Sequence, residues 1–144
     1  MAVEIQFDFV PDDLTITPRP DRWDLYIGIV GKFKVLVNDQ VYFEDEFFNI
    51  VEFGVLVERW IRSKKSFFCY KPLEADCVLM EFRGEGGVVV ITSEFGNFEI
   101  GQAIKLSVLL KALKKYIIKL ANYLQLRGYD FFVLVDDSRL DSKA

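Results

Sequence analysis

Carboxylates are the side chains of this chain with both the number and the spacing to do chemistry near neutral pH, because histidine is absent. Without imidazole there is no general base of ordinary pKa near 7, no Ser/His or Cys/His nucleophile pairing, and no supply of the commonest zinc ligand. The two cysteines, Cys69 and Cys77, cannot close a zinc site without two further good ligands. Both sit in strand-like apolar runs and read as core thiols. The acids fall into three groups. Glu44-Asp45-Glu46, with Asp39 just upstream, precedes a helical pattern. Asp76 and Glu81 bracket the start of a strand. Asp136-Asp137 closes the apolar run Phe131-Phe132-Val133-Leu134-Val135.

Each group has a chemical reading and a plainer one. Asp76, Glu81 and the following Phe82-Arg83 resemble the metal-binding carboxylates of restriction-type nucleases. Arg83 stands where that pattern has lysine, and the spacing is short. The run ending at Asp136-Asp137 is similar to the strand that holds magnesium in phosphate-loop nucleotide hydrolases. Its required partner, Gly-x-x-x-x-Gly-Lys-Ser/Thr, is missing, and Gly84-Glu85-Gly86-Gly87 does not replace it, since Glu85 repels phosphate and no lysine follows. Glu44-Asp45-Glu46 lacks the alternating oxygen ligands, central glycine and terminal glutamate of a calcium loop. It reads as a solvated turn or as an acidic knob for a basic partner. Phe47 and Phe48, which follow it, read first as core and otherwise as apolar anchors beside the charge.

Composition narrows the class. A length of 144 residues fits one domain. Apolar residues make up 51% of the chain, with 14 Phe, 6 Tyr and 2 Trp, so a core needs no disulfide or metal to hold it. Net charge is −4, with the acids concentrated before residue 60 and an excess of bases after it. That asymmetry reads first as solvated surface charge and otherwise as an acidic face that steers a basic partner. Nucleic acid is not expected, for want of a dense Lys/Arg stripe among exposed aromatics. A secretory signal is not expected either, and no run reaches the about 18–20 apolar residues that span a bilayer. These features predict a cytoplasmic location and no cofactor.

The elements that must position the acids follow from periodicity. Val3, Ile5, Phe7 and Phe9 alternate with polar residues, which predicts a strand with one wet face. Residues 22–30, with Trp23, Leu25, Ile27 and Ile29 in phase, are expected to form a second strand. Residues 33–37 and 40–44 complete a meander, turning at Asn38-Asp39. From Asn49 the spacing of Ile50, Phe53, Val57, Trp60 and Ile61 is helical, over about 13 residues, and Asn49 with Glu52 suggests a capping box. Strands are expected at 66–70, 77–83 and 87–93, with a further short one at 95–100. Val88-Val89-Val90-Ile91 does not alternate and is expected to be buried on both sides. Ser107 looks like the N-cap of a long helix whose apolar stripe is Leu110, Leu113, Ile117, Leu120 and Leu124. Its lysines 111, 114, 115 and 119 also fit a membrane-surface helix, but the stripe is what the sheet needs for cover. Gly128 supplies a left-handed residue past its end. Residues 131–135 are expected to form a last strand, and 136–144 a frayed polar tail.

The predicted architecture is α+β: a single domain over 1–135 with a mostly antiparallel twisted sheet of about six to eight strands and two helices packed on one face. In size, acidity, lack of histidine and sheet-plus-long-helix layout, the chain resembles small bacterial proteins of the toxin-immunity type. The likeness is of general layout and transfers no residue role. It implies a non-catalytic protein that binds and occludes a basic partner, with Asp39, Glu44, Asp45 and Glu46 as the contact residues. The alternatives are a metal-dependent carboxylate hydrolase using Asp76/Glu81 or Asp136/Asp137, and a self-associating structural module, such as a homodimer through an open sheet face or edge.

Overall fold

The computed structural model describes residues 3–12, 21–73, 75–137 and 140. Residues 13–20, which carry Pro18 and Pro20 and read from sequence as a turn-rich connection, lie outside them, as does most of the polar tail.

The fold is α+β, with two antiparallel sheets where the sequence suggested one. Sheet A has the order β1-β2-β3, from β1 (Ile5–Pro11), β2 (Gly31–Val37) and β3 (Gln40–Phe48). Sheet B has the order β4-β5-β6-β7, from β4 (Phe67–Tyr70), β5 (Met80–Glu85), β6 (Val88–Thr92) and β7 (Ile104–Lys105). Four helices accompany them: α1 (Arg22–Ile27), α2 (Ile50–Ser63), α3 (Leu106–Gln125) and α4 (Phe131–Asp136).

The two sheets meet directly, Phe7 against Phe82 and Phe48 against Tyr70, and α2 packs beside that junction. Phe53 on α2 meets Phe7, Phe33 and Phe48 of sheet A on one side and Phe68 and Tyr70 of sheet B on the other. Trp60, two turns on, packs against Phe68 and Phe82. Ile50, Val51, Phe53, Val55 and Val57 are all fully buried, so α2 has little wet surface until its last turns. The long helix α3 covers the same core through Leu109, Leu113, Tyr116, Ile117, Leu120 and Leu124. Its Tyr116 hydroxyl donates to the Ile50 carbonyl at 2.6 Å. At the crossing sits Gly54, where a Cβ would run into the Leu120 side chain. A lysine ties the other flank: Lys119 Nζ donates to Asp8 Oδ1 and to the Phe9 carbonyl, both at 2.6 Å.

Two expected strands are helices, and in both an acidic cap decides. Asp21 and Asp24 form a reciprocal capping box at the head of α1: the Asp24 N–H donates to Asp21 Oδ1 at 2.8 Å and the Asp21 N–H to Asp24 Oδ2 at 3.2 Å. At α4, Asp130 Oδ1 accepts from the Phe132 N–H at 2.9 Å. The buried residues of α4 are Phe131, Leu134 and Val135, which is helical spacing rather than alternation. Gly128 is left-handed as expected, with φ of 85°.

Smaller departures have similar causes. Residues 95–100 form no strand. Instead this loop closes the edge of β3: the Asn97 N–H donates to the Tyr42 carbonyl and Asn97 Nδ2 to the Val41 carbonyl, at 2.7 and 3.0 Å. The strand β6 alternates after all, with Val89 and Ile91 inward and Val88 and Val90 outward, because the outer face of sheet B is open. The same alternation turns Phe68 and Tyr70 in and Cys69 out, so Cys69, like Cys77, is exposed rather than a core thiol. Helix α3 begins at Leu106, which places Ser107 inside the first turn rather than at the cap.

The start of the expected tail is firmly held. Arg59 of α2 reaches the C-terminal carbonyls of α4, donating Nε to Val135 at 2.9 Å and Nη2 to Asp137 at 2.9 Å. Arg62 adds an ion pair to Asp136 at 2.7 Å. Removing a charged donor from carbonyls of this kind costs about 2–3 kcal/mol. We therefore expect Arg59→Met to lower unfolding stability by that order and to speed hydrogen exchange of the 131–136 amides. Unchanged exchange there would show that packing alone seats α4.

Candidate functional site

The four predicted contact acids do not form one cluster. Asp39 sits at the tip of the β2–β3 hairpin, where Asn38 and Asp39 take φ of 50° and 65°. Glu44 lies five residues along the strand, about 17 Å away at about 3.4 Å per residue. Glu44, Asp45 and Glu46 remain together at the far end of β3, beside the start of α2. Glu44 stands opposite Lys34, which itself stands opposite Asp8, so charges alternate across sheet A. Glu44 and Glu46 are exposed and Asp45 is half-buried. Asp45 Oδ1 accepts from the Phe47 N–H at 2.9 Å, which bends the strand end.

That bend separates the two phenylalanines expected in the core. Phe48 is buried, stacked on Phe33 with ring centroids 3.8 Å apart. Phe47 is 72% exposed. A large aromatic left in water among three acids is the costly feature of this surface.

Behind Phe47 lies a hollow of about 250 Å³, lined by Asp45, Phe47, Asn49, Tyr70, Pro72 and Leu79 among others. It is assembled from the end of β3, the head of α2, and the β4–β5 connection. Its shape depends on Glu52, a carboxylate only 2% exposed. Glu52 Oε1 accepts from the Tyr70 hydroxyl at 2.8 Å, and Oε2 from the Leu73 N–H at 2.8 Å. Asn49 Nδ2 also points at Oε1, at 3.5 Å. The capping box expected from Asn49 and Glu52 is therefore not made. Asn49 gives no side-chain cap, because the Glu52 carboxylate turns away from the helix backbone to tie β4 and the loop behind it to α2. A buried charge is tolerated only with such donors around it.

Burial pushes the Tyr70 phenol well above its usual range, and the Glu52 charge adds to the push. Burial does the same to Tyr116. Burial also raises Tyr42, against a bond from the Ser93 backbone. The Cys69 thiol is raised as well, by burial and then by Glu81, with Lys71 opposing, which keeps it in the less nucleophilic form.

The carboxylates of the hydrolase alternative are dispersed. Asp136 pairs with Arg62 at 2.7 Å and Asp137 with Arg22 at 3.5 Å, both holding α4 in place. Glu81 points outward from β5 with Arg83 at 3.8 Å, and Asp76 is exposed in the connection before it. Among the described residues, no group of three or more His, Cys, Asp or Glu side chains is placed to hold a metal ion, and no helix is long and apolar enough to cross a membrane.

Sequence reasoning missed Glu52, Tyr70 and Asn49 as makers of this hollow. The one available signal was Tyr70, whose inward phase follows from the alternation of 67–70. The raised phenols carry a sign. A phenol whose folded pKa lies above its unfolded value of 10.0 contributes stability that is fully present below that value. The stability is lost as pH climbs toward the folded pKa, because the unfolded chain releases its protons first. Denaturant melts between pH 8 and 12 are therefore expected to show stability falling above about pH 10. Tyrosinate absorbance should show Tyr70 and Tyr116 ionising only as the chain unfolds. A pH-independent melt over that window would refute the burial argument.

No curated protein and no solved structure matches the chain. Residues 5–126 match a family described as a domain of unknown function. That match spans β1 through the end of α3, takes in the acids of β3 and the whole hollow, and stops before α4. The chain accordingly belongs to the DUF7878 family.

Proposed function

We propose that this is a non-catalytic protein-binding domain that docks a basic partner on the acidic end of β3, in the manner of an immunity or inhibitor protein that occludes its target. The observation that carries the reading is Phe47, 72% exposed and flanked in sequence by Glu44, Asp45 and Glu46. Exposed aromatics beside a polar, charged rim are the usual anchors of protein interfaces. The acids speed encounter with a basic surface, and burial of the ring slows release. Asp39 lies too far along the hairpin to share the same small contact. It belongs to the interface only if the partner follows the whole length of β3.

The platform suits that task. β3 is held on one side by β2 and on the other by Asn97, and Phe48 locks its end into the core. A rigid anchor loses little conformational freedom on binding. A cytoplasmic setting and a toxin-like target belong to the same proposal.

Site-specific photocrosslinking in the native host tests it. A benzophenone amino acid at position 47 is expected to yield one discrete protein adduct, and the same probe at exposed Val133 on α4 should not. The adduct should fade in Glu44→Gln/Glu46→Gln protein and at high salt. Equal labelling from both positions, or an adduct indifferent to the acids, contradicts the proposal.

A further inference from the structure

We propose that the hollow behind Phe47 is a socket for a single arginine side chain presented by the protein partner. The inference rests on the protein-binding reading for where the arginine comes from, but not for the chemistry of the socket.

Three observations converge. First, the size fits one side chain: about 250 Å³ falls below the roughly 300–1,000 Å³ of pockets that take drug-sized ligands. Second, two of its wall residues keep acceptor atoms unused. Asp45 uses Oδ1 on the Phe47 N–H, and among the described residues Oδ2 has no hydrogen-bond partner. Asn49 turns Nδ2 toward Glu52, and among the described residues its Oδ1 accepts no bond. Third, the remaining wall is apolar, with the exposed ring of Phe47 standing over the buried Phe48, Tyr70 and Pro72 and the half-buried Leu79. An acceptor beside an exposed π face suits a planar, weakly hydrated cation that can both stack and donate in a fork. Guanidinium matches that description better than the compact, strongly hydrated ammonium of lysine.

The field agrees in sign. The head of α2 contributes about half a positive charge, which disfavours a cation. Against it stand two carboxylates, Asp45 at the rim and Glu52 behind Tyr70. Glu52 is already bonded to Tyr70 and Leu73, so it acts through space rather than by contact. Asp45 at the rim disfavours an anionic ligand there.

The test uses N-acetyl-arginine amide titrated into the isotope-labelled full chain, with amide shifts as the readout. Saturable, millimolar binding is expected, with the largest shifts at Phe47, Asn49 and Leu73. Asp45→Asn keeps the Oδ1 acceptor for the strand bend but removes the charge, and should weaken binding about tenfold. Phe47→Ala should weaken it as well while leaving the melt unchanged. N-acetyl-norleucine amide should not bind. Three results would overturn the socket: shifts scattered over other acidic surface, affinity unchanged in Asp45→Asn, or lysine amide binding as well as arginine amide. The two readings fail separately. A position-47 adduct that survives Asp45→Asn undiminished leaves the protein-binding reading standing without the socket. Arginine binding at Asp45 with no adduct from position 47 does the reverse.

Discussion

A helix whose first turns are enclosed must settle the polar groups of those turns inside the protein, and that demand on α2 organises the rest of the structure. Those turns pack where the two sheets meet, and water cannot finish an incomplete hydrogen bond there. The Ile50 carbonyl is bonded by the Tyr116 hydroxyl from α3. The Glu52 carboxylate is bonded by Tyr70 from sheet B and by the Leu73 N–H beyond it. Further along, Arg59 emerges at the surface and holds the end of α4. These three groups thus fasten α3, sheet B and α4 in turn. The aromatic rings around Phe53 fill the space between those fastenings without directing it, since dispersion contacts have little preferred orientation beyond ring geometry.

The surface hollow is a by-product of the same demand. Glu52 draws the β4–β5 connection toward the head of α2, and Asp45 bends the end of β3 by accepting its own chain's N–H. Between the two bends a space remains that no side chain fills, and Phe47 is pushed outward beside it. The charge proposed to recruit a partner and the charge that organises the core therefore stand within a few residues of each other. A surface built on so well-anchored a base can recognise by shape as well as by charge. Elsewhere the acids do structural work: Asp8, Asp136 and Asp137 all pair with Lys or Arg from distant elements.

Much of this was legible in the sequence wherever a period was long and one face stayed wet. Phe7 and Phe9 of β1, Val35 of β2, and the stripes of α2 and α3 read correctly for that reason. The failures were local ties between periods. Residues 22–30 and 131–135 are short apolar runs that fit either period, and only Asp21, Asp24 and Asp130 break the tie by capping. The division into two sheets was not legible, because it depends on how strands remote in sequence pair. Glu52 shows the same limit. Its bonds to Tyr70 and Leu73 span 18 and 21 residues, while a plausible local partner, Asn49, stood three residues away. The acids at 44–46 were found as charge, but the exposure of Phe47 followed from a bend that pattern alone does not reveal.

A buried carboxylate on α2 holds the adjoining loop as firmly as the core itself. Native-state hydrogen exchange at the Leu73 amide measures this directly. Although Leu73 lies in an irregular, partly accessible segment, its N–H should exchange as slowly as the amides of Val55 and Val57, through global opening. Exchange at Leu73 as fast as at its exposed neighbour Lys71 would mean that Glu52 does not grip the loop, and the account of both the core and the hollow would fall with it.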